Sequence, residues 1–323
     1  MKYRENDLKK MALPIGQTEE TKCKNAIRMV RDAMKQLNYT DDGKDIRSFE
    51  ADTYSYALDL RQVITDRKLT LLVQGSYANK TNIPTESDVD VAVILESTFT
   101  SKYRKGVTRS DYGFFEGTDT LESLKDDVEK ALKHYFGYQG VERHDKSIKV
   151  IGNTNRVDAD VVPAYRYRDY SNDYDNSQSN YIGGIEIISD EGVHIINYPE
   201  QHIRNGIEKN KYTNYKFKQC VRIIKNMRED MINFGYDIPP EVSSFGLESL
   251  LWNVPSVEYI RYSYLRNTID EILKYLSSNY YKFQVFKEAN GIKALFIDDE
   301  KRQSYIKFVK ELSAFYEYDN WES

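Results

Sequence analysis

The four residues Asp88-Val89-Asp90-Val91 lead into the longest strongly apolar run in the first half of the chain, which extends from Val91 to Leu95. Their alternation and their β-branched side chains predict a strand. Residues i and i+2 of a strand project to the same face, so both carboxylates point one way while the valines point toward a core. Because adjacent carboxylates repel each other, a cation between them removes a cost in stability. The chain is therefore predicted to contain a sheet with paired carboxylates on one face.

Periodicity elsewhere predicts mixed α and β structure before Pro199 and mostly helical structure after it. Helical spacing covers residues 19–37, 46–66 and 119–137, and β-rich runs cover residues 69–73, 88–95, 147–151, 156–162 and 183–196. This order predicts an α+β fold. We expect a lobe at residues 1–200 with a mixed β-sheet and N-terminal helices, and a helical lobe at residues 201–323.

Composition excludes several classes of protein. The net charge is −5 and the pI is about 5.6, so long nucleic acid is a poor first choice of partner. The apolar run ending at Leu95 is too short to span a bilayer, and the first seven residues lack the apolar stretch of a secretory signal. Cys23 and Cys220 form no CxxC motif and are expected to be buried free thiols. We expect a soluble cytoplasmic protein without a membrane partner.

Two further motifs complete a candidate phosphate and metal site. Gly75-Ser76 follows a predicted strand, where the glycine lets the backbone approach a phosphate and the serine hydroxyl and amide groups can bind its oxygens. Asp158 and Asp160 share a face of another predicted strand, and either is a candidate third carboxylate that also accepts a proton. Oxygen ligands of this kind favour Mg²⁺ or Mn²⁺, and two such ions can stabilise a phosphoryl displacement.

A basic segment follows in the predicted helical lobe. The segment that begins at Arg204 and ends at Arg228 contains eight basic residues, counting both ends, and one acidic residue. Lys218, Arg222 and Lys225 fall at positions i, i+4 and i+7, which is one stripe of a helix. Either this stripe is a solvated basic face, or it binds phosphate.

A second charged pattern favours an ordinary structural role. Tyr165, Arg166, Tyr167 and Arg168 alternate aromatic and basic side chains. This alternation predicts an edge strand with one exposed charged face. The alternative is that Tyr165, Tyr167 and Tyr170 stack a base while Arg166 and Arg168 hold phosphate.

The motif from Gly75 to Asp90 resembles the GS…T-x-I-x-x-x-S-D-x-D signature of DNA-polymerase-β-like nucleotidyltransferases. Its spacing is similar to that of oligoadenylate synthases and of the cGAS/DncV-like family of bacterial cyclic-oligonucleotide synthases. The run from Asp160 to Tyr165 resembles the D-V-x-P-A-aromatic stretch that carries the third catalytic aspartate in those families. The resemblance thus implies Asp88, Asp90 and Asp160 as the catalytic, metal-binding set, with Asp158 as a neighbour.

Downstream motifs extend the resemblance over roughly residues 20–260. The run from Tyr198 to His202 resembles the crossover between the two lobes. Val221-Arg222-Ile223-Ile224-Lys225 resembles the helix whose lysine contacts the donor triphosphate, and the run that begins at Ser244-Phe245 resembles the S-F-x-x-E-x-L-L helix of the second lobe. The resemblance implies nucleotide-binding roles for the following residues: Gly75, Ser76, Lys225, Lys218 and Ser244.

The resemblance also implies a fold and an activity. The fold would be the two-lobed polymerase-β-like nucleotidyltransferase fold. The activity would be Mg²⁺-dependent, with two ions that Mn²⁺ can replace, and would join ribonucleoside triphosphates into a cyclic di- or trinucleotide. Such a messenger would act on an effector protein in bacterial anti-phage signalling. Two alternatives are transfer to another acceptor (a linear oligonucleotide, RNA, a protein or a small molecule) and a non-catalytic nucleotide sensor.

Overall fold

The computed structural model describes residues 3–41, 52–55, 57–62, 67–86, 88–115 and 121–317. These residues divide into two compact units. One unit takes its residues from 16–78 and 87–200, and contains the β-sheet. The other takes its residues from the first 15 positions, from 79–86 and from 201 onward.

The sheet unit contains nine strands within the described residues. They are β1 (Tyr39–Thr40), β2 (Ala57–Gln62), β3 (Lys68–Gln74), β4 (Val89–Tyr103), β5 (Val141–Arg143), β6 (Ile148–Val150), β7 (Ala159–Tyr170), β8 (Ile182–Ile188) and β9 (His194–Asn197). The order across the sheet is β1-β2-β3-β4-β7-β6-β5, and β8 joins β7 to β9. Strands β4 and β7 are parallel, and all the other paired strands are antiparallel.

Strand β7 lies in the interior of this sheet because it has paired strands on both sides. On one side, its first and second halves have different neighbours. Its first three residues pair with β6, and residues from Tyr165 to Asp169 pair with β8. Its whole length pairs with β4 on the other side. The prediction of an edge strand at Tyr165–Arg168 was therefore wrong. Arg166 is buried, and it forms ion pairs with Glu96 and Glu200 in place of contacts with water.

Helices α2 (Gln17–Lys35), α3 (Gly75–Ala78) and α4 (Leu121–Phe136) belong to the sheet unit. Helices α2 and α4 pack against each other and against β7, and α2 also packs against β4. A cluster of buried apolar residues covers part of the sheet and includes Leu72, Ala92 and Val162. Because side chains alternate along a strand, this cluster shares its face of the sheet with Asp90 and Asp160.

The prediction of a helix over residues 46–66 was wrong where the structure describes it. Residues 57–62 form β2, in which Leu58 and Leu60 are buried and the other four residues are exposed or partly exposed. Pairing with β3 imposes this period of two. Residues 42–51, 56 and 63–66 lie outside the described residues.

The second unit is helical. Its helices are α1 (Glu5–Met11), α5 (Pro199–Tyr212), α6 (Lys216–Asn233), α7 (Ser244–Trp252), α8 (Ser256–Ile260), α9 (Leu265–Ser278) and α10 (Asp299–Glu317). Helix α6 packs against α1, α7, α8 and α10. Leu8 of α1 is completely buried in the same apolar cluster as Phe217, Leu250 and Phe308. The predicted α+β architecture, with a mixed sheet and a C-terminal helical region, is confirmed.

Both cysteines are buried and free, as expected. Burial raises the pKa of the Cys23 and Cys220 thiols to about 12. The described helices include none with the length and apolarity needed to cross a membrane.

Candidate active site

The turn from β3 into α3 depends on Gly75. Its φ of +73° lies in the left-handed region, where glycine has no steric penalty. A Cβ atom built on Gly75 would lie 1.9 Å from Oδ2 of Asp90. The carboxylate of Asp90 thus lies directly over the backbone of the Gly-Ser turn. Ser76, the next residue, is partly exposed.

A short segment braces this turn. The hydroxyl of Thr53 donates to the carbonyl of Ala78 at 2.6 Å, and the amide of Tyr54 donates to the same carbonyl at 2.9 Å. The hydroxyl of Ser55 donates to the carbonyl of Val73 at 2.7 Å. One segment is therefore tied both to the end of strand β3 and to the last residue of the four-residue helix α3. Since the sequence interpretation placed this segment in a helix, it missed the bracing role.

Strand register brings two of the predicted carboxylates side by side. Asp90 is the direct partner of Asp160 on the parallel strand β7 and of Gln74 on β3. Val89 and Ala159, which precede them, are completely buried, whereas Asp90 and Asp160 are partly exposed. Asp88 is exposed and directly precedes β4. The three carboxylates therefore lie at adjoining ends of two neighbouring strands.

Asp158 has partners of its own. Its Oδ2 lies 2.6 Å from Nζ of Lys149, and its Oδ1 accepts a hydrogen bond of 2.5 Å from the amide of Gly152. Burial raises the pKa of Asp158, but these two hydrogen bonds outweigh it and hold the pKa below its usual value. These contacts agree with a role for Asp158 as a neighbour of the site. Lys149 was missed in the sequence, where it is one polar residue between two apolar ones.

The predicted triphosphate contacts Lys225 and Ser244 lie in the helical unit. Lys225 is completely buried on α6, with Nζ 3.8 Å from Oε2 of Glu86. Ser244 begins α7 and donates to the same carboxylate, which also forms an ion pair with Arg228. The carboxylate of Glu86 therefore contacts two cations, Lys225 and Arg228, and the hydroxyl of Ser244. Glu86 lies two positions before Asp88 in the chain.

The basic stripe of α6 is not a solvated face. Lys218, Arg222 and Lys225 are all buried in the helical unit. The guanidinium of Arg222 donates to the carbonyls of Ala12 and Lys80. Because all three side chains are buried, the alternative of a solvated basic face is wrong.

A second buried cluster holds the start of residues 79–86. Glu248 of α7 is buried, accepts a hydrogen bond of 2.6 Å from the hydroxyl of Thr81 and lies 2.9 Å from Nε2 of His202. The side chain of Asn79 also contacts His202, at 3.1 Å. Burial raises the pKa of Glu248, but His202, Lys225 and Thr81 outweigh it and lower the pKa to about 2. Glu248 is therefore a buried carboxylate anion.

Two family models match the chain. One describes a nucleotidyltransferase domain and matches residues 60–229. The other describes the C-terminal helical domain of cGAS/DncV-like nucleotidyltransferases and matches residues 204–317. The chain belongs to the cGAS/DncV-like nucleotidyltransferase family. It is thus an enzyme of the nucleotidyltransferase class, as the resemblance implied.

Relatives within this family match over most of their length. A cyclic GMP-AMP synthase, CdnE03 of Staphylococcus schleiferi, is 42% identical over 98% of both chains. A cyclic dipyrimidine nucleotide synthase, CdnE of Cecembia lonarensis, is 35% identical over 86% of this chain and 84% of the relative. The structure of the Rhodothermus marinus CdnE c-UMP-AMP synthase with Apcpp and Upnpp superposes with a TM-score of 0.76, at 26% identity over 99% of this chain and 100% of that one.

Nucleotidyltransferases of this type generally use divalent metal ions. Across the part of the chain that the structure describes, no three Asp, Glu, His or Cys side chains already meet in a metal-ligating arrangement. The chemistry of the donor set nevertheless fits a hard divalent cation, because Asp88, Asp90 and Asp160 are carboxylates at adjoining strand ends. The glycine at position 75 leaves the space that the Asp90 carboxylate occupies.

Proposed function

We propose that this chain joins ribonucleoside triphosphates into a cyclic di- or trinucleotide messenger and releases pyrophosphate. Membership of the cGAS/DncV-like family supports this activity. The observation that carries it is the register that pairs Asp90 with Asp160 while the Asp90 carboxylate lies over Gly75. A phosphate held by the Gly-Ser turn would thus lie beside the carboxylates.

The proposed roles follow from this geometry. Asp88, Asp90 and Asp160 would hold two Mg²⁺ ions, which Mn²⁺ could replace. When bound, such ions stabilise charge on the attacking and leaving oxygens of a phosphoryl displacement. The backbone of Gly75 and the hydroxyl of Ser76 bind phosphate oxygens. Asp160 accepts the proton of the attacking ribose hydroxyl.

Three residues of the helical unit complete the proposal. Lys225, Ser244 and Lys218 are proposed contacts of the donor triphosphate, on the strength of the family resemblance. Because Lys225 is buried beside Glu86, its ammonium must be uncovered before it can contact a nucleotide. This requirement predicts a local rearrangement around Glu86 on nucleotide binding.

The choice of nucleotides and the setting are also proposals. ATP and GTP are the first pair to test, because the Staphylococcus schleiferi relative is a cyclic GMP-AMP synthase. We place the enzyme in the cytoplasm, where its product would activate an effector protein in anti-phage signalling.

Product analysis tests the proposed function directly. The protein is incubated with all four ribonucleotides and Mg²⁺ or Mn²⁺, and the products are separated by chromatography and identified by mass spectrometry. We expect a cyclic product that Asp88→Asn and Asp90→Asn abolish. Detection of a linear oligonucleotide or of a modified acceptor, without a cyclic product, would show that the chain transfers nucleotides to another acceptor and does not cyclise them. Nucleotide binding without pyrophosphate release in any mixture would indicate a sensor and contradict the proposal.

A further inference from the structure

Lys149 lies on the face of the sheet that carries the catalytic carboxylates. It is the middle residue of β6, where Ile148 and Val150 on either side are buried. In the antiparallel pairing of β6 with β7, its direct partner is Asp160. Directly opposed residues of neighbouring strands project to the same face of a sheet. The ammonium of Lys149 therefore belongs to the same face as the carboxylate of Asp160.

A dedicated partner holds this ammonium in place. Nζ of Lys149 lies 2.6 Å from Oδ2 of Asp158, and the other oxygen of Asp158 accepts a hydrogen bond from the amide of Gly152. A Cβ atom on Gly152 would lie 2.8 Å from the backbone nitrogen of Asp158. Since no real side chain tolerates that contact, glycine is what lets the hairpin close and its amide reach Asp158. Gly152, Asp158 and Lys149 form a chain of contacts that fixes one positive charge.

That charge acts on the carboxylate set. The hydrogen bond to Asp158 raises the pKa of Lys149, and attraction to Asp158, Asp88 and Asp160 adds to it. Lys149 and Asp158 are each only about 30% exposed, so water screens their charges incompletely. Lys149 therefore interacts electrostatically with Asp88 and Asp160, two of the three proposed metal ligands, although its hydrogen bond is to Asp158.

We propose that Lys149, held by Asp158, is a positioning residue that supplies a fixed positive charge to the carboxylate face and sets how tightly that face binds divalent cations. The inference rests on the proposed function, because it concerns the same metal site. A fixed cation reduces the repulsion among Asp88, Asp90 and Asp160 before a metal ion binds. The same charge opposes an incoming divalent ion, so it lowers the affinity of the site.

Removal of the charge must therefore strengthen metal binding, a result that a purely structural role for Lys149 would not produce. We would measure Mn²⁺ binding without nucleotide, by the electron paramagnetic resonance of free Mn²⁺. For Lys149→Met we expect binding that is roughly three- to tenfold tighter, as for one charge near a divalent ion in a partly solvated site. Lys149→Arg keeps the charge and should stay within about twofold of the wild type. The control Lys146→Met removes an exposed charge three residues away and should change nothing.

A double-mutant cycle tests the role of Asp158. Asp158→Asn should weaken Mn²⁺ binding in the wild type, because the released ammonium can turn toward the metal ligands. In the Lys149→Met background the same substitution removes only the charge of Asp158, so it should weaken binding less than in the wild type. Equal weakening in both backgrounds would show that Asp158 acts on the metal directly, and would overturn the inference.

The possible failures are distinguishable. Binding that is unchanged or weaker in Lys149→Met, with wild-type binding intact, overturns this inference and leaves the proposed function standing. Absence of Mn²⁺ binding to the wild type overturns the metal site of the proposed function and this inference with it. Melting temperatures measured without metal verify that the variants are folded, and Lys149→Met should melt lower than Lys149→Arg because the carboxylates then repel each other more strongly.

Discussion

At the scale of single residues, Gly75 meets two requirements at once. Its backbone lies in the left-handed region, and its missing side chain leaves room for the carboxylate of Asp90. The first requirement is shared with ordinary turn glycines, but the second is specific to this site. A substitution at Gly75 should therefore affect the chemistry far more than a comparable substitution elsewhere.

We predict that Gly75→Ala lowers nucleotide-joining activity at least about 100-fold, because a new methyl group would displace the Asp90 carboxylate. Displacement of reacting groups by about 1 Å can cost this much. The matched control is Gly106→Ala, since Gly106 has a φ of +82° and no described atom within 4 Å of an added Cβ. Both variants carry a similar backbone strain, of about 1–2 kcal/mol. Equal losses of activity in steady-state assays of the two would contradict the prediction.

The charge of Glu248 predicts a dependence of stability on pH. Its pKa is lowered from 4.5 to about 2 in the folded protein, so the unfolded chain binds the proton more readily. The stabilisation is complete above the unfolded pKa and is lost as the pH falls from about 4.5 toward 2.

Glu248→Gln removes this titration. We expect the free energy of unfolding of the wild type to fall by roughly 3 kcal/mol more than that of the variant over the same interval. Urea unfolding at a series of pH values gives the free energy of unfolding of each protein, and the slopes of the two plots against pH are then compared. Parallel curves for the two proteins would mean that Glu248 does not titrate in this way.

At the scale of elements, the segment of residues 53–55 shows how a site depends on a stretch that carries none of its chemistry. Thr53 and Ser55 are polar but completely or almost completely buried, and their hydroxyls donate to a carbonyl at the end of α3 and to one in β3, respectively. Buried carbonyls without donors are costly, so these hydroxyls both stabilise and position the turn.

We predict that Thr53→Val lowers the free energy of unfolding by about 1–3 kcal/mol, since it removes a buried donor while keeping the shape of the side chain. The control is Thr40→Val, because the exposed hydroxyl of Thr40 makes only a 3.3 Å bond to the carbonyl of Arg61. This change should stay within about 0.5 kcal/mol of the wild type. Chemical denaturation followed by circular dichroism provides both values.

At the scale of the whole molecule, the helical unit is assembled from three separate stretches of chain. Tyr3 and Leu8 lie in the same apolar cluster as residues more than 200 positions later. Residues 79–86 contribute Thr81 and Glu86, which contact side chains of α6 and α7. The folded unit therefore needs contacts that are distant in sequence.

Leu8→Ala should lower the free energy of unfolding by about 2–5 kcal/mol, because it leaves a cavity in a completely buried position. Leu13→Ala, five residues later, alters a side chain that is 64% exposed and should cost less than about 0.5 kcal/mol. Urea denaturation of both variants measures the costs. A small cost for Leu8→Ala would indicate that α1 does not pack in the helical core.

Local patterns were sufficient for the elements whose own periodicity decides their structure. The strand that begins near Asp88, the helix of residues 119–137 and the helical C-terminal region were predicted from the spacing of apolar residues, and the hairpin around residues 183–196 was predicted from its turn. The motif around Gly75 and Asp90 was sufficient for the family, which the comparisons confirmed. The roles of Asp88, Asp90 and Asp160 stay predictions that the strand register supports.

Other features depend on partners that are distant in the chain, and only the tertiary structure decided them. Residues 57–62 form a strand because they pair with β3. Strand β7 is an interior strand because β8 pairs with it on the side opposite β4. Lys225 is buried and Lys149 faces Asp160 through contacts that no local pattern encodes. The sequence by itself determined which carboxylates could form the site, since alternation places them on one face. Tertiary pairing decided which side chains surround those carboxylates, because each such contact joins residues from different strands or helices.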